Sequence, residues 1–472
     1  MRRYFFIFIL FFLTGCNSNE QSKFEKPHVK KETAAVTTIN PELHSVDELI
    51  QSELQKSGTP GATLIVVCNG KIIHAKGYGL SDVESHIKAD VNTSWPLASI
   101  TKVLTSIGVM QLVESGKVKL DEDVNTYLKR VRVPDSFPKP ITVADLLRHT
   151  SGLDELPGRR FERPGDVSPF DKFLSTHLVR YRPPGEFTSY SSYGMSLAGL
   201  LIEEVSGSSY SSYLQTHLFE PLGMKSARVM TKSGDEKGVA APYEIEDGKA
   251  KRINYEWYAT PPVASAVMSA SDMARLLIDL TSPNPKVISR NTLQHMVDTQ
   301  ATLHPAVPGW GYGFQLDEFN QHRIAEHGGD IGGFAGLMSI VPDSRLGIYT
   351  VHHGEGSSIR FDVRNAILEK YFPGNPPAPV AIKNVDLKPY AGDYRASFQC
   401  HTCGSEAPPV PEFEVSINDD GTLGLWGSRW IPIAEDLFSR EDGRARLAFV
   451  RDSKSKVVAL SGGSWRVGER VK

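Results

Sequence analysis

Apolar positions recur at helical spacing over residues 46–56, then give way to an apolar run at 62–67, the pair Asn69-Gly70 and a second run at 71–75. Apolar run, Asn-Gly, apolar run predicts a β-hairpin, because Asn and Gly tolerate the positive φ of a tight turn. Val103, Leu104, Ile107, Met110 and Val113 again follow helical spacing and predict a buried amphipathic helix that begins at Ser99. Further helical patterns cover 195–205 and 271–280, punctuated by Pro-Gly turns. Runs at 334–341 and 346–352, joined by Pro342-Asp343-Ser344, predict two strands, and 359–371 a last helix. This order predicts a mixed α/β (α+β) fold: an antiparallel sheet assembled from both ends of the region, flanked by helices, with a helical domain inserted and a cleft between the two.

The pattern changes at both ends of that region. Residues 372–379 hold four prolines and one glycine and predict a linker. After it come short alternating runs such as Phe413-Glu414-Val415-Ser416-Ile417, turns such as Asp419-Asp420-Gly421 and many aromatics, which predict a small all-β domain, a barrel or a sandwich. At the other end Arg2-Arg3 precede an apolar run at 4–13, too short for a comfortable transmembrane helix. Leu13-Thr14-Gly15-Cys16 resembles a bacterial lipobox, which implies lipid attachment at Cys16 and a protein held in the bacterial cell envelope, facing the periplasm or exterior. The organisation expected is therefore a lipoprotein signal peptide at 1–16, a flexible polar tether at 17–42, the α/β domain at 43–372, a linker at 373–383 and the β domain at 384–472.

Composition narrows the function classes. A net charge of −3 over 472 residues, with 23% charged positions and no concentrated basic surface in the sequence, argues against nucleic acid as a partner. Cys68 stands by itself in an apolar run and reads as a structural thiol. Cys400 and Cys403 are open between a disulfide and free thiols; without a second Cys pair, zinc is not expected. His352-His353 and the other histidines lack metal-ligand spacing, so neither metal nor cofactor is implied.

The chemistry gathers at Ser99-Ile100-Thr101-Lys102. Positions i and i+3 share a helix face, so the Ser99 hydroxyl and the Lys102 amine can meet, and a buried amine can accept the hydroxyl proton. Ser-x-x-Lys also occurs at Ser85, Ser136 and Ser453, but none of these has an apolar helix behind it. Tyr190 lies in a Ser-rich turn just before a helical pattern, where its phenol could exchange protons with Ser99. Glu326-His327-Gly328-Gly329-Asp330 reads as a Gly-rich turn leading into a strand; it lacks the Gly-Lys-Ser/Thr of a phosphate loop.

Taken in order, Ser99-x-x-Lys102, Tyr190-Ser191-Ser192 and His327-Gly328-Gly329 resemble the serine β-lactamase and penicillin-binding-protein superfamily, in its class C-like branch of peptidases, amidases and esterases. Leu146-Leu147-Arg148-His149-Thr150-Ser151-Gly152-Leu153, Pro221-Leu222-Gly223-Met224 and Trp310-Gly311-Tyr312-Gly313-Phe314 look similar to that family too, and the resemblance covers residues 46–371. It implies that Ser99 attacks a carbonyl to form an acyl-enzyme, that Lys102 and Tyr190 share the proton transfers, and that His327 completes the polar network. It also implies an oxyanion hole made by the backbone amides of Ser99 and Asp330, and a substrate-binding rim at Ser192, Gly328, Gly329 and Asp330.

Ser192 stands where the family usually has Asn, and a hydroxyl cannot donate and accept as an amide does, which moves the expectation towards esters. Arg159, Arg160, Arg163, Arg180 and Arg182 bracket a loop expected near the cleft mouth, where they could meet a substrate carboxylate or an anionic wall polymer. The reading is a serine hydrolase acting on an ester or a D-amino-acid-type amide, with a small-molecule or peptidoglycan-type substrate and membrane contact through the lipid. The alternative is a protein that binds penicillin or senses wall fragments with little turnover. The oligomeric state is not expressed in the sequence.

Overall fold

The computed structural model describes residues 40–404, 410, 412–464 and 466–471. Cys16, the signal segment and most of the tether lie outside the described residues. The first helix, α1 (His44–Ser57), precedes the expected hairpin, β1 (Gly61–Cys68) and β2 (Lys71–Asp82). A short β3 (Ile87–Lys88) follows. The chain then builds the helical block, including α2 (Thr101–Glu114), α3 (Ser192–Ser206) and α4 (Ala270–Leu280). It returns to the sheet through β4 (Gln315–Phe319), β5 (His322–Ile331), β6 (Phe334–Val341) and β7 (Leu346–His353), and closes with α5 (Ile359–Tyr371).

Among the described residues the sheet has seven antiparallel strands in the order β4-β5-β6-β7-β1-β2-β3. The two ends of the domain join where β1 pairs with β7, Ala62 opposite His352. Alternation along β1 splits its side chains between two cores. Ile65 and Val67 face the helical block, while Leu64, Val66 and Cys68 face α1 and α5. Both faces are thus covered, which is why β1 reads as a continuous apolar run rather than an alternating one.

After the linker region, eight strands from β8 (Gly392–Ala396) to β15 (Val467–Arg470) close into a barrel around Tyr394, Trp430, Phe438 and Phe449. The expected α/β fold with an inserted helical domain and a C-terminal all-β domain is the observed one, and of the two β architectures considered it is the barrel.

Three local expectations are corrected. The serine does not open a regular α-helix: residues 98–100 form a tighter 3₁₀ turn and α2 begins at Thr101. Residues 326–331 belong to strand β5, not to a turn before it, because glycines without side chains hide the alternation that marks a strand. Cys68, read as a lone thiol, is disulfide-bonded. Of the alternatives left open for Cys400 and Cys403, the disulfide is the one present.

Candidate active site

The turn that carries Ser99 is built by close packing. Ala98, just before Ser99, holds φ +47°, a left-handed conformation that costs a non-glycine residue energy and persists where the surroundings dictate it. Here those surroundings are β5. Gly329 lies so near the turn that a Cβ there would collide with the Leu97 carbonyl and press on Ala98 and Ile100. Behind the turn, α2 is buried on all sides over residues 101–110, against α3 and the short helix Pro261–Ala264. A helix buried all round has no solvent face to which a lysine can extend, so Lys102 points into the site.

Lys102 is 2% exposed, and its Nζ donates to Ser99 Oγ at 2.9 Å and to the Val263 carbonyl at 3.0 Å. Burial pushes its pKa well below the usual lysine range, and the nearby Arg159 guanidinium adds to this against the opposing pull of Glu155. The amine also sits 4.9 Å from the centroid of the Tyr190 ring. The Tyr190 hydroxyl hydrogen-bonds Ser99, while burial raises the phenol far above its ordinary pKa. An amine whose proton is held less tightly and a phenol whose proton is held more tightly therefore flank one hydroxyl.

Two side chains hold Tyr190 in place. His149, at φ +58°, accepts the Ser191 N–H on Nδ1 at 3.0 Å and packs its ring 4.5 Å from that of Tyr190; Trp310 lies 5.5 Å away on the same ring. His327, on β5, is fully buried with Nδ1 2.6 Å from the Gly328 carbonyl oxygen, and its ring is 6.2 Å from Tyr190. Burial, reinforced by Lys102, pushes its pKa down to about 3, so it is a neutral imidazole at ordinary pH.

The rim residues differ in how they are committed. Ser192 opens α3 and its N–H donates to Glu155, a buried carboxylate that also pairs with Arg159 at 2.9 Å. Gly328 donates its N–H to Gln315 at 3.3 Å, and the carboxylate of Asp330 is taken up bidentately by Arg360 at 2.7 Å on both oxygens, which fixes the end of β5. Gly329 serves the close approach to the nucleophile turn described above.

Of the five arginines, Arg159 and Arg160 line the cleft. Arg180 binds the Pro134 and Lys139 carbonyls and Arg182 pairs with Glu469 of the barrel, so these two are structural. Sequence reasoning gave no role to Glu155, His149 or Phe398. His149 lies in a stretch whose likeness to the family was visible, but a positioning role shows only when the loop folds onto it. A cleft of about 1590 Å³ runs from Ser99, Lys102 and Tyr190 along β5 to the barrel wall. Among the described residues there is no cluster of three or more side chains suited to holding a metal ion.

A sheet with helices on both faces, a helical insertion and a buried Ser-Lys-Tyr centre at their junction define a β-lactamase-like fold. The Beta-lactamase family profile matches residues 46–371, and the chain belongs to that family. It is 26% identical to Protein flp of Staphylococcus aureus over 318 residues, covering 66% of this chain, and 31% identical over 269 residues to PbpX of Bacillus subtilis, covering 56%. The chain spans 62% of the length of either relative. A penicillin-binding protein homologue from Pyrococcus abyssi, described as octameric, shares the fold with a TM-score of 0.61 at 23% identity over 90% of this chain and 100% of its own.

Proposed function

We propose that this protein is a serine hydrolase that works through a Ser99 acyl-enzyme on an ester or a D-amino-acid-type amide. The observation that carries the reading is the 2.9 Å contact between Ser99 Oγ and a buried amine whose pKa burial lowers, with the Tyr190 phenol on the same oxygen. In acylation, Lys102 takes the Ser99 proton as Oγ bonds to the substrate carbonyl carbon. The carbonyl oxygen gains the charge, which the Ser99 and Asp330 backbone amides would stabilise. Tyr190 then protonates the departing alcohol or amine as the tetrahedral intermediate collapses, and the Lys102 ammonium returns a proton to the tyrosine. Water reverses the sequence to free the acid.

Ester substrates fit Ser192 best: its N–H is engaged by Glu155 and its short hydroxyl offers less to a substrate amide than an asparagine would. The cleft exceeds what a small molecule fills, which favours a substrate extended along β5. A second reading, penicillin binding with little turnover, draws support from PbpX, whose name refers to penicillin binding.

The experiment is p-nitrophenyl ester hydrolysis and, separately, incubation with a fluorescent penicillin, each followed by mass on the wild type and on Ser99→Ala. Ester turnover that disappears in Ser99→Ala, with the fold retained by circular dichroism, is expected. A stable penicilloyl adduct on Ser99 without turnover would transfer the assignment to the second reading, and turnover that survives Ser99→Ala would sink the mechanism.

A further inference from the structure

We infer that the C-terminal barrel completes the active site: Phe398, on the loop that follows β8, forms the wall against which the leaving group departs, and Asp154 positions that loop. This rests on the acyl-enzyme reading above.

Phe398 is 38% exposed and lines the same cleft as Ser99, Lys102 and Tyr190. An aromatic face that lines a cleft gives an apolar group of a substrate a surface to pack on. Its ring meets that of Tyr190 edge-on, with centroids 5.1 Å apart. Since Tyr190 is the group that protonates the leaving atom, the space beside it is where the alcohol or amine sits as it departs, and Phe398 borders that space.

The loop is held as a fixed wall. Ser189 Oγ donates to the Ser397 carbonyl at 2.8 Å on one side of Phe398, and the Cys400–Cys403 disulfide closes the chain on the other. Asp154, whose side chain is fully buried, accepts from the His401 N–H at 2.7 Å, the Thr402 N–H at 2.9 Å and Thr402 Oγ1 at 2.6 Å. His401 stacks on Tyr181 with centroids 3.8 Å apart. Both anchors in the hydrolase domain are chain neighbours of site residues: Ser189 precedes Tyr190, and Asp154 precedes the Glu155 that holds Ser192. The barrel loop and the catalytic groups are therefore positioned by the same two segments.

The leaving-group class that fits is an aromatic or branched apolar alcohol or amine. The test uses phenyl, benzyl and methyl esters of one acyl group, compared as ratios of variant to wild type, so that intrinsic leaving-group reactivity cancels. Loss of one aromatic contact predicts that Phe398→Ala lowers kcat/KM for the phenyl and benzyl esters about tenfold and for the methyl ester less than about twofold. Phe398→Trp should restore the preference, and Asp154→Ala should reproduce the Phe398→Ala pattern, because the loop would no longer be held. An equal loss for all three esters, or none, overturns the wall. Labelling of Ser99 by a small fluorophosphonate separates the layers. Labelling with unchanged leaving-group preference overturns the wall alone, whereas an unlabelled wild type overturns the acyl-enzyme reading and the wall with it.

Discussion

Lys102 and Tyr190 both reach Ser99 Oγ, and burial acts on them with opposite signs. It disfavours the charged form of each, so the amine loses its proton more easily while the phenol keeps its own. In the proposed mechanism the base is therefore Lys102 and the acid Tyr190. Two consequences can be measured. The rate of acylation, read as kcat/KM, should fall as pH drops through the lowered Lys102 pKa and stay level on the alkaline side, because the raised phenol does not ionise there; His327, neutral down to about pH 3, adds no inflection in between. A bell whose alkaline limb falls near the ordinary tyrosine pKa would contradict the assignment. Tyr190→Phe should cost about 10²–10⁴-fold in kcat/KM for poor leaving groups, with a smaller loss for p-nitrophenyl esters, which depart without a proton. Of this chemistry the sequence expresses the Ser99 to Lys102 spacing, since i and i+3 meet within one helical turn whether that turn is α or 3₁₀. It does not express the acidities, which depend on how deep the fold buries the pair.

At the scale of elements, the close passage of β5 under the Ser99 turn determines how Ser99 is presented to the cleft. Gly329→Ala should push the strand from Leu97 and release the Ala98 strain, costing about 1–3 kcal/mol in thermal unfolding together with a disproportionate loss of turnover. Gly328→Ala is the control for folding: a Cβ there meets only the Gly336 carbonyl at 3.9 Å, so thermal unfolding should barely change. Equal destabilisation by both substitutions would show that the passage is not the constraint. Periodicity made the hairpin, α2 and α5 legible, because each repeats an apolar residue at its own spacing. It failed for β5, where consecutive glycines leave nothing to alternate, and for α2 it could not show a helix enclosed on every side.

Across the whole molecule, the barrel is fastened to the α/β domain by a charged contact that titrates. His401 lies between Asp154 at 3.3 Å and Glu469 at 3.1 Å, with Arg182 on the same Glu469 at 2.7 Å. Burial alone would lower the His401 pKa, but the hydrogen bonds to the two carboxylates outweigh it and raise it, while Asp154 is held down at about 2 and Glu469 below its usual range. A raised histidine stabilises docking fully below its undocked value of 6.5 and loses that contribution as pH rises through its docked value; the lowered carboxylates keep their charge until strongly acid pH. Protease cleavage in the 373–383 linker region should therefore quicken as pH rises above neutrality. His401→Gln should flatten that dependence, the contribution being on the order of 1.5–3 kcal/mol at most. Cleavage independent of pH in the wild type would show that the contact does not hold the domains.

The sequence by itself determined the kinds of element, the all-β character of the last part of the chain and the serine–lysine spacing, because all three depend on residues near one another along the chain. Only the tertiary structure decided that burial lowers the pKa of the amine, that Tyr190 packs against His149 and Trp310, that Glu155 holds the start of α3, and that a barrel loop brings Phe398 to the Ser99 cleft. These are contacts between segments far apart in sequence and consequences of burial, and neither leaves a period in the chain from which it could be read.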